Sequence, residues 1–184
     1  KDSSILNYFK NNGYIIYKRA EVLGQVSRET DAIAVAGTHG KTTVSTMIAH
    51  ILTVSQLKCS AFLGGISKNY DTNFLLYQSR YTVMEADEFD RSFLYLSPVI
   101  AVVTAIDPDH LDIYGTAEAM IEAYSDFCGC VQKNGTLILH ENILPALSLP
   151  GAVHVYSYGT GKNTSFRAAD IEKGDGFYRF DLMT

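Results

Sequence analysis

An apolar run that ends in glycine, a glycine-lysine loop and then helical periodicity constrain this chain more than any other feature. Ala32 to Gly37 (AIAVAG) reads as a short buried strand. The stretch GTHGKTT follows at once. Beyond Lys41, apolar residues recur at Val44, Met47, Ile48, Ile51 and Leu52, the spacing of one helix face. The same alternation continues downstream. SAFLGG (60–65), YTVMEAD (81–87) and VIAVVTAI (99–106) read as strands. From Thr116 a second amphipathic helix is predicted to bury Ala117, Met120, Ile121, Tyr124, Cys128 and Val131. GTLILH (135–140) and AVHVYSY (152–158) continue the sheet, and FRAADIEKGDGFYRFDL closes as a hairpin turning at Gly174-Asp175-Gly176. The fold class is therefore α/β, a mainly parallel sheet with helices on both faces and an antiparallel hairpin near the C-terminus. Such sheets bind ligands beyond the carboxyl ends of their strands.

The first thirty residues differ. They read as a helix, a short strand at Tyr14 to Tyr17 and a second helix from Arg19. A polar stretch, Ser27 to Asp31, then separates them from the Ala32 strand. The expected organisation is residues 1–30 as the tail of a preceding domain plus a linker, and 31–184 as the main domain. A chain that opens on Lys1 and stops at Thr184 inside an alternating pattern reads as a fragment of something longer. With a formal net charge of -5 it lacks the basic surface of a nucleic-acid binder. No apolar run approaches a membrane span, and no signal-peptide pattern opens the chain. Three cysteines are an odd count for a disulfide framework, so a cytoplasmic location is expected. The oligomeric state is open.

Three strand ends carry the chemistry. In the loop, Gly37 and Gly40 let the backbone bring N–H groups close to an anion, and the following helix points its positive end there. Lys41 supplies a charge for phosphates and Thr42 a hydroxyl for a phosphate-bound Mg²⁺. A full P-loop would carry a glycine where Val35 stands. The plain alternative is a glycine turn capped by Thr38. At the second end, MEADEFD places Glu85, Asp87, Glu88 and Asp90 within six residues, either a Mg²⁺ site or a solvated acidic loop. At the third, Asp107, Asp109, His110 and Asp112 cluster about Pro108, as a metal or phosphate site or as ordinary turn chemistry. Cys128 and Cys130 diverge on a helix and read as core rather than ligands. His50 and His140 sit in periodic apolar elements and read as structural.

Together these blocks resemble the Mur ligases. GTHGKTT is similar to their short P-loop, G-[TS]-x-G-K-[ST], which needs no glycine at Val35. EADEFDRSFLYLSP and VVTAIDPDHLDIYG resemble the next two signature blocks, in order and spacing. YKRAEVLGQV is similar to the end of the family's N-terminal UDP-binding domain, and FRAADI to a later segment of its central domain. His39 resembles the alanine-adding branch, as does the absence of lysine between His110 and Val131, where several other members carry a carbamylated lysine and Ser125 stands here.

The resemblance implies an ATP-dependent ligase of peptidoglycan precursor synthesis, with UDP-N-acetylmuramate and L-alanine as substrates and an acyl phosphate between them. It implies ATP-phosphate binding by Gly37, Thr38, His39, Gly40, Lys41, Thr42 and Thr43. It implies one Mg²⁺ bound by Thr42 and Glu85 and a second bound by His110, catalytic roles for Lys41 and His110, and a supporting role for Asp109. It implies that a fragment without the C-terminal domain is inactive. Phe89 stands where the family often has Ser, and Ala105 where Asn often precedes the His turn, so no role passes to either. Three other readings use the same loop: a ligase that recycles a whole peptide onto the same sugar nucleotide, a P-loop module without chemistry, and a small-molecule kinase.

Overall fold

The computed structural model describes residues 3–107 and 114–184. Among them, nine strands form one sheet in the order β3-β2-β4-β1-β5-β6-β7-β8-β9. These are β1 Asp31–Ala36, β2 Ser60–Ser67, β3 Thr72–Leu75, β4 Tyr81–Glu85, β5 Ile100–Val103, β6 Thr136–His140, β7 His154–Gly159, β8 Phe166–Lys173 and β9 Tyr178–Met183. All pairings are parallel except β2 with β3 and β8 with β9. The expected fold class is what the chain adopts.

Alternation on β1 explains the two cores. Ala32, Ala34 and Ala36 face one side and pack with Met84, Ala101, Val103, Leu137 and Leu139. They meet α4 (Ala117–Gly129) through Met120, Tyr124, Phe127 and Cys128, while Leu23 and Val26 of α2 (Arg19–Glu29) pack at the edge. Ile33 faces the other side, with Ala61, Leu63 and Val83, against Ala49, Ile48 and Leu52 of α3 (Lys41–Val54). Only small residues at 32, 34 and 36 leave room for the aromatic layer of Phe93, Tyr124 and Phe127. The Phe93 and Phe127 rings stack with centroids 5.0 Å apart, and Tyr124 meets Phe93 edge-on at 5.3 Å.

Several local expectations change. α3 buries Ser45, Ala49 and Thr53, whereas Met47 and Ile51 are 59% and 62% exposed. Its first turn is fixed by the glycine loop, and that rotation turns the small stripe to the sheet, where it permits close approach. Ala117 of α4 is exposed and Ile121 only half-buried, while Ala123 and Phe127 are buried in addition to the remaining predicted residues. Tyr14 to Tyr17 pairs with no strand among the described residues and runs as an extended connection after α1 (Ser4–Asn11). The polar stretch from Ser27 is not a free tether. Ser27 to Glu29 end α2, Thr30 caps it and β1 begins at Asp31. The buried Ser27 hydroxyl donates to Gly24 O at 2.8 Å and accepts from Ser97 N at 2.9 Å. Strand β3, whose TNFL offers no alternation of its own, exists because β2 presents an edge to pair with.

Candidate functional site

β1 lies between β4 and β5, so the loop that leaves it is flanked by two other strand ends. Gly37 turns with φ +134°. A Cβ there would lie 2.1 Å from Thr104 Oγ1 and 2.9 Å from Ala105 N. No other residue fits this turn, because β5 passes directly against it. Backbone bonds seal the contact: Thr104 N donates to Ala36 O (3.0 Å) and Thr38 N to Ala105 O (2.9 Å). The Thr104 hydroxyl has the carbonyls of Ala36 and His39 both within reach of its single proton, with His39 O the nearer acceptor. Gly40 caps α3, whose first residue is Lys41. The helix N-terminus therefore opens into a cleft of roughly 340 Å³ lined by Thr38, His39, Gly40, Lys41, Thr42, Thr43 and Glu85. Gly37, the first glycine of the loop, is not among the lining residues.

Two carboxylates serve two different loop residues. Thr42 Oγ1 donates to Glu85 Oε1 at 3.0 Å, and Gly64 N donates to Glu85 Oε2 at 2.8 Å. Lys41 Nζ donates to Gly37 O at 2.7 Å and to Glu88 Oε1 at 2.8 Å. The Glu88 side chain is only 2% exposed and that of Lys41 15%. The sequence flagged Glu88 as one acid among four. What it lacked was a sign that this acid, rather than its exposed neighbours Asp87 and Asp90, turns inward. The Tyr114 hydroxyl donates to Glu88 O at 2.5 Å. Burial first, then the Glu88 charge, pushes the Tyr114 phenol up to about 12, so it remains a neutral donor. Tyr124 is wholly buried beside the Gly37 backbone, and burial raises its phenol still further.

The third strand end is partly described. Asp107 N donates to Thr38 Oγ1 at 3.1 Å, and the Asp107 carboxylate lies 3.6 Å from His39 Nε2. Asp109, His110 and Asp112 lie outside the described residues, so the expected second metal ligand has no geometry here. Among the described residues no three His, Cys, Asp or Glu side chains gather as a metal cluster. The Thr42–Glu85 pair nevertheless suits Mg²⁺. Two hard oxygens 3.0 Å apart match adjacent positions of an octahedral ion with bonds of about 2.1 Å, and such ions take one or two protein ligands beside phosphates and water.

A second cleft of roughly 330 Å³ opens at the ends of β5 and β6, lined by Thr104, Ala105, Ile106, Asp107, His140, Asn142 and Ile143. His140, read as structural, thus sits at a cleft wall, where its ring meets Tyr158 edge-on. His50 is held by Tyr70 OH at 2.9 Å, away from the loop. Cys128 is buried and its thiol pushed up to about 12 by that burial, which fits core packing. Phe89 is exposed and Ala105 half-buried.

Comparison with known proteins follows the same lines. The profile of the Mur ligase middle domain matches residues 35–184. A UDP-N-acetylmuramate–L-alanine ligase of Phocaeicola vulgatus is 50% identical over 178 residues, 96% of this chain and 39% of that protein. One of the same name from Parabacteroides distasonis is 46% identical over 179 residues, 97% of this chain and 39% of that protein. This chain thus spans about two fifths of the relatives it matches. Among solved structures, the UDP-N-acetylmuramate:L-alanyl-gamma-D-glutamyl-meso-diaminopimelate ligase of Neisseria meningitides superposes with a TM-score of 0.82 at 23% identity, covering 97% of this chain and 60% of that one.

Proposed function

The chain belongs to the Mur ligase family, and from that premise we propose that the whole protein joins L-alanine to the carboxylate of UDP-N-acetylmuramate at the expense of ATP. The names of the curated relatives support these substrates. The observation that carries the chemistry is the loop itself. A lysine, a hydroxyl and a carboxylate converge on one cleft at a helix N-terminus. We assign residues 31–184 to the ATP-binding middle domain and 1–30 to the end of a preceding UDP-binding domain. Work on ATP and a nucleotide sugar fits a cytoplasmic location.

In this reading the loop amides and Lys41 hold the β- and γ-phosphates. The second cleft, next to the loop across Asp107, has room for the base or sugar of the nucleotide. Thr42 and Glu85 would hold Mg²⁺, which when bound screens the phosphates and the substrate carboxylate from each other. The reacting carboxylate oxygen attacks the γ-phosphorus, and ADP leaves with the electron pair of the broken bond. The alanine amine then adds to the acyl carbon, loses a proton and expels inorganic phosphate. Two anions must meet in the first step, so the residues act mainly by positioning and by charge. Lys41 stands where charge moves onto the transferring group. His110, with Asp109 beside it in sequence, is proposed as a further metal ligand.

The deciding experiment uses the full-length protein with UDP-N-acetylmuramate, ATP and Mg²⁺, and measures phosphate release with L-alanine or with the L-alanyl-γ-D-glutamyl-meso-diaminopimelate tripeptide. Release with L-alanine alone is expected. Release with the tripeptide alone would assign the protein to peptide recycling. Nucleotide binding with no release would leave a P-loop module.

A further inference from the structure

We propose that Glu88 is a positioning residue that holds the Lys41 ammonium inside the phosphate loop, ready for the transferring phosphoryl group. The proposal rests on the reading of this loop as the ATP site. A lysine on a four-carbon stem has many rotamers, and an unpaired ammonium seeks water. Here two acceptors fix it from opposite sources: Gly37 O from the loop and Glu88 Oε1 from the segment after β4. An ammonium has three N–H donors. Among the described residues two are committed to the protein, and the third is left for a ligand in the cleft that Lys41 lines. A buried, charge-assisted hydrogen bond is the strongest tether available for such a group.

The anchor of the tether is rigid. Asp90 and Arg91 adopt left-handed backbone (φ 53° and 54°), which folds the chain back so that Arg91 N donates to Glu88 O at 3.0 Å. Tyr114 OH binds the same carbonyl at 2.5 Å. Two residues further, Phe93 is wholly buried in the aromatic layer. Glu88 is therefore fixed by the core, while Glu85, three residues earlier, is tied to Thr42 and Gly64. The two acids divide the loop between them: one faces the hydroxyl, the other the ammonium.

The arrangement has opposed consequences. A carboxylate beside the phosphate pocket repels a polyphosphate, so Glu88 weakens ground-state nucleotide binding. It contributes where Lys41 must already be in place, during phosphoryl transfer, and such contributions appear in kcat. A residue that merely supports the fold would not produce this split.

The test uses the full-length protein with Glu88→Gln, Lys41→Met and the double variant, reading phosphate release against ATP concentration, ADP affinity by calorimetry and the thermal midpoint. Glu88→Gln is expected to lower kcat about tenfold or more without raising KM for ATP, to leave ADP affinity unchanged or tighter, and to add no further loss in the Lys41→Met background. Tyr114→Phe, which frees the Glu88 carbonyl, is expected to lower kcat in the same pattern by less; it carries the test if Glu88→Gln does not fold. Unchanged kcat, a rise in KM at constant kcat, or independent losses in the double variant would overturn the proposal. If the parent protein binds ADP but releases phosphate with neither acceptor, the ligase reading fails. ADP affinity then decides the role of Glu88, and weaker binding by Glu88→Gln overturns it.

Discussion

The central strands β1, β4 and β5 are covered on both faces, whereas the hairpin β8–β9 satisfies its backbone and covers almost nothing. On β1, Ala32, Ala34, Val35 and Ala36 are fully buried; on β9 every residue is exposed. Both regions are regular sheet. They differ in what their ends can hold. A strand gripped from both sides fixes the loop that follows it, which is how Gly37 comes to lie against Thr104 and Lys41 against Glu88. The hairpin turns at Gly174 to Gly176 without neighbours of that kind. Burial on both faces, more than strand geometry, makes a strand end usable for chemistry.

Breaking the aromatic layer under the loop tests that contrast hardest. Phe93→Ala is expected to cost about 3–5 kcal/mol, read as a lowered midpoint in urea, because the cavity opens in a packed interior. Next is the loop's charge. Lys41→Met in the full-length protein is expected to cut phosphate release about a hundredfold or more, the scale seen for one lost electrostatic contact to a developing charge, and also to lower the thermal midpoint, because the buried Glu88 carboxylate loses the Lys41 cation. Gly37→Ala combines strained backbone with a collision against β5 and is expected to cost about 1–3 kcal/mol and abolish ADP binding. A weaker effect comes with alkali. The Tyr114 phenol is raised from near 10 to about 12 on folding. The unfolded chain loses that proton first, so stability is full below about pH 10 and falls between about 10 and 12, and Tyr114→Phe should flatten that fall. Smallest of all, Phe180→Ser on the hairpin, where Phe180 is 51% exposed, is expected to shift stability by no more than about 0.5 kcal/mol. A loss near that of Phe93→Ala would show that the hairpin is covered in the native protein.

The fold was legible because period-two and period-3.6 patterns alternate along the chain with glycines between them. The phosphate loop was legible because its residues are consecutive and the backbone alone brings them together. Legibility failed where two elements had to meet. The face of α3 was legible only in part: Ile48 and Leu52 pack on the sheet as the spacing predicts, but Met47 and Ile51 turn outward and the small Ser45, Ala49 and Thr53 take the buried centre, a choice that the pinned first turn makes. The strand at Tyr14 to Tyr17 failed for want of a partner, and β3 was missed although a partner made it.

By itself the sequence determined a parallel α/β sheet, a glycine-lysine loop after its first strand and an acidic segment after another, because each is written in neighbouring residues. Only the tertiary structure decided which acid serves which loop residue. Glu85 and Glu88 are three positions apart and chemically alike. A left-handed turn at Asp90 and Arg91 and the burial of Phe93 send one of them inward to Lys41, and contacts across more than forty residues of chain cannot be read from local spacing.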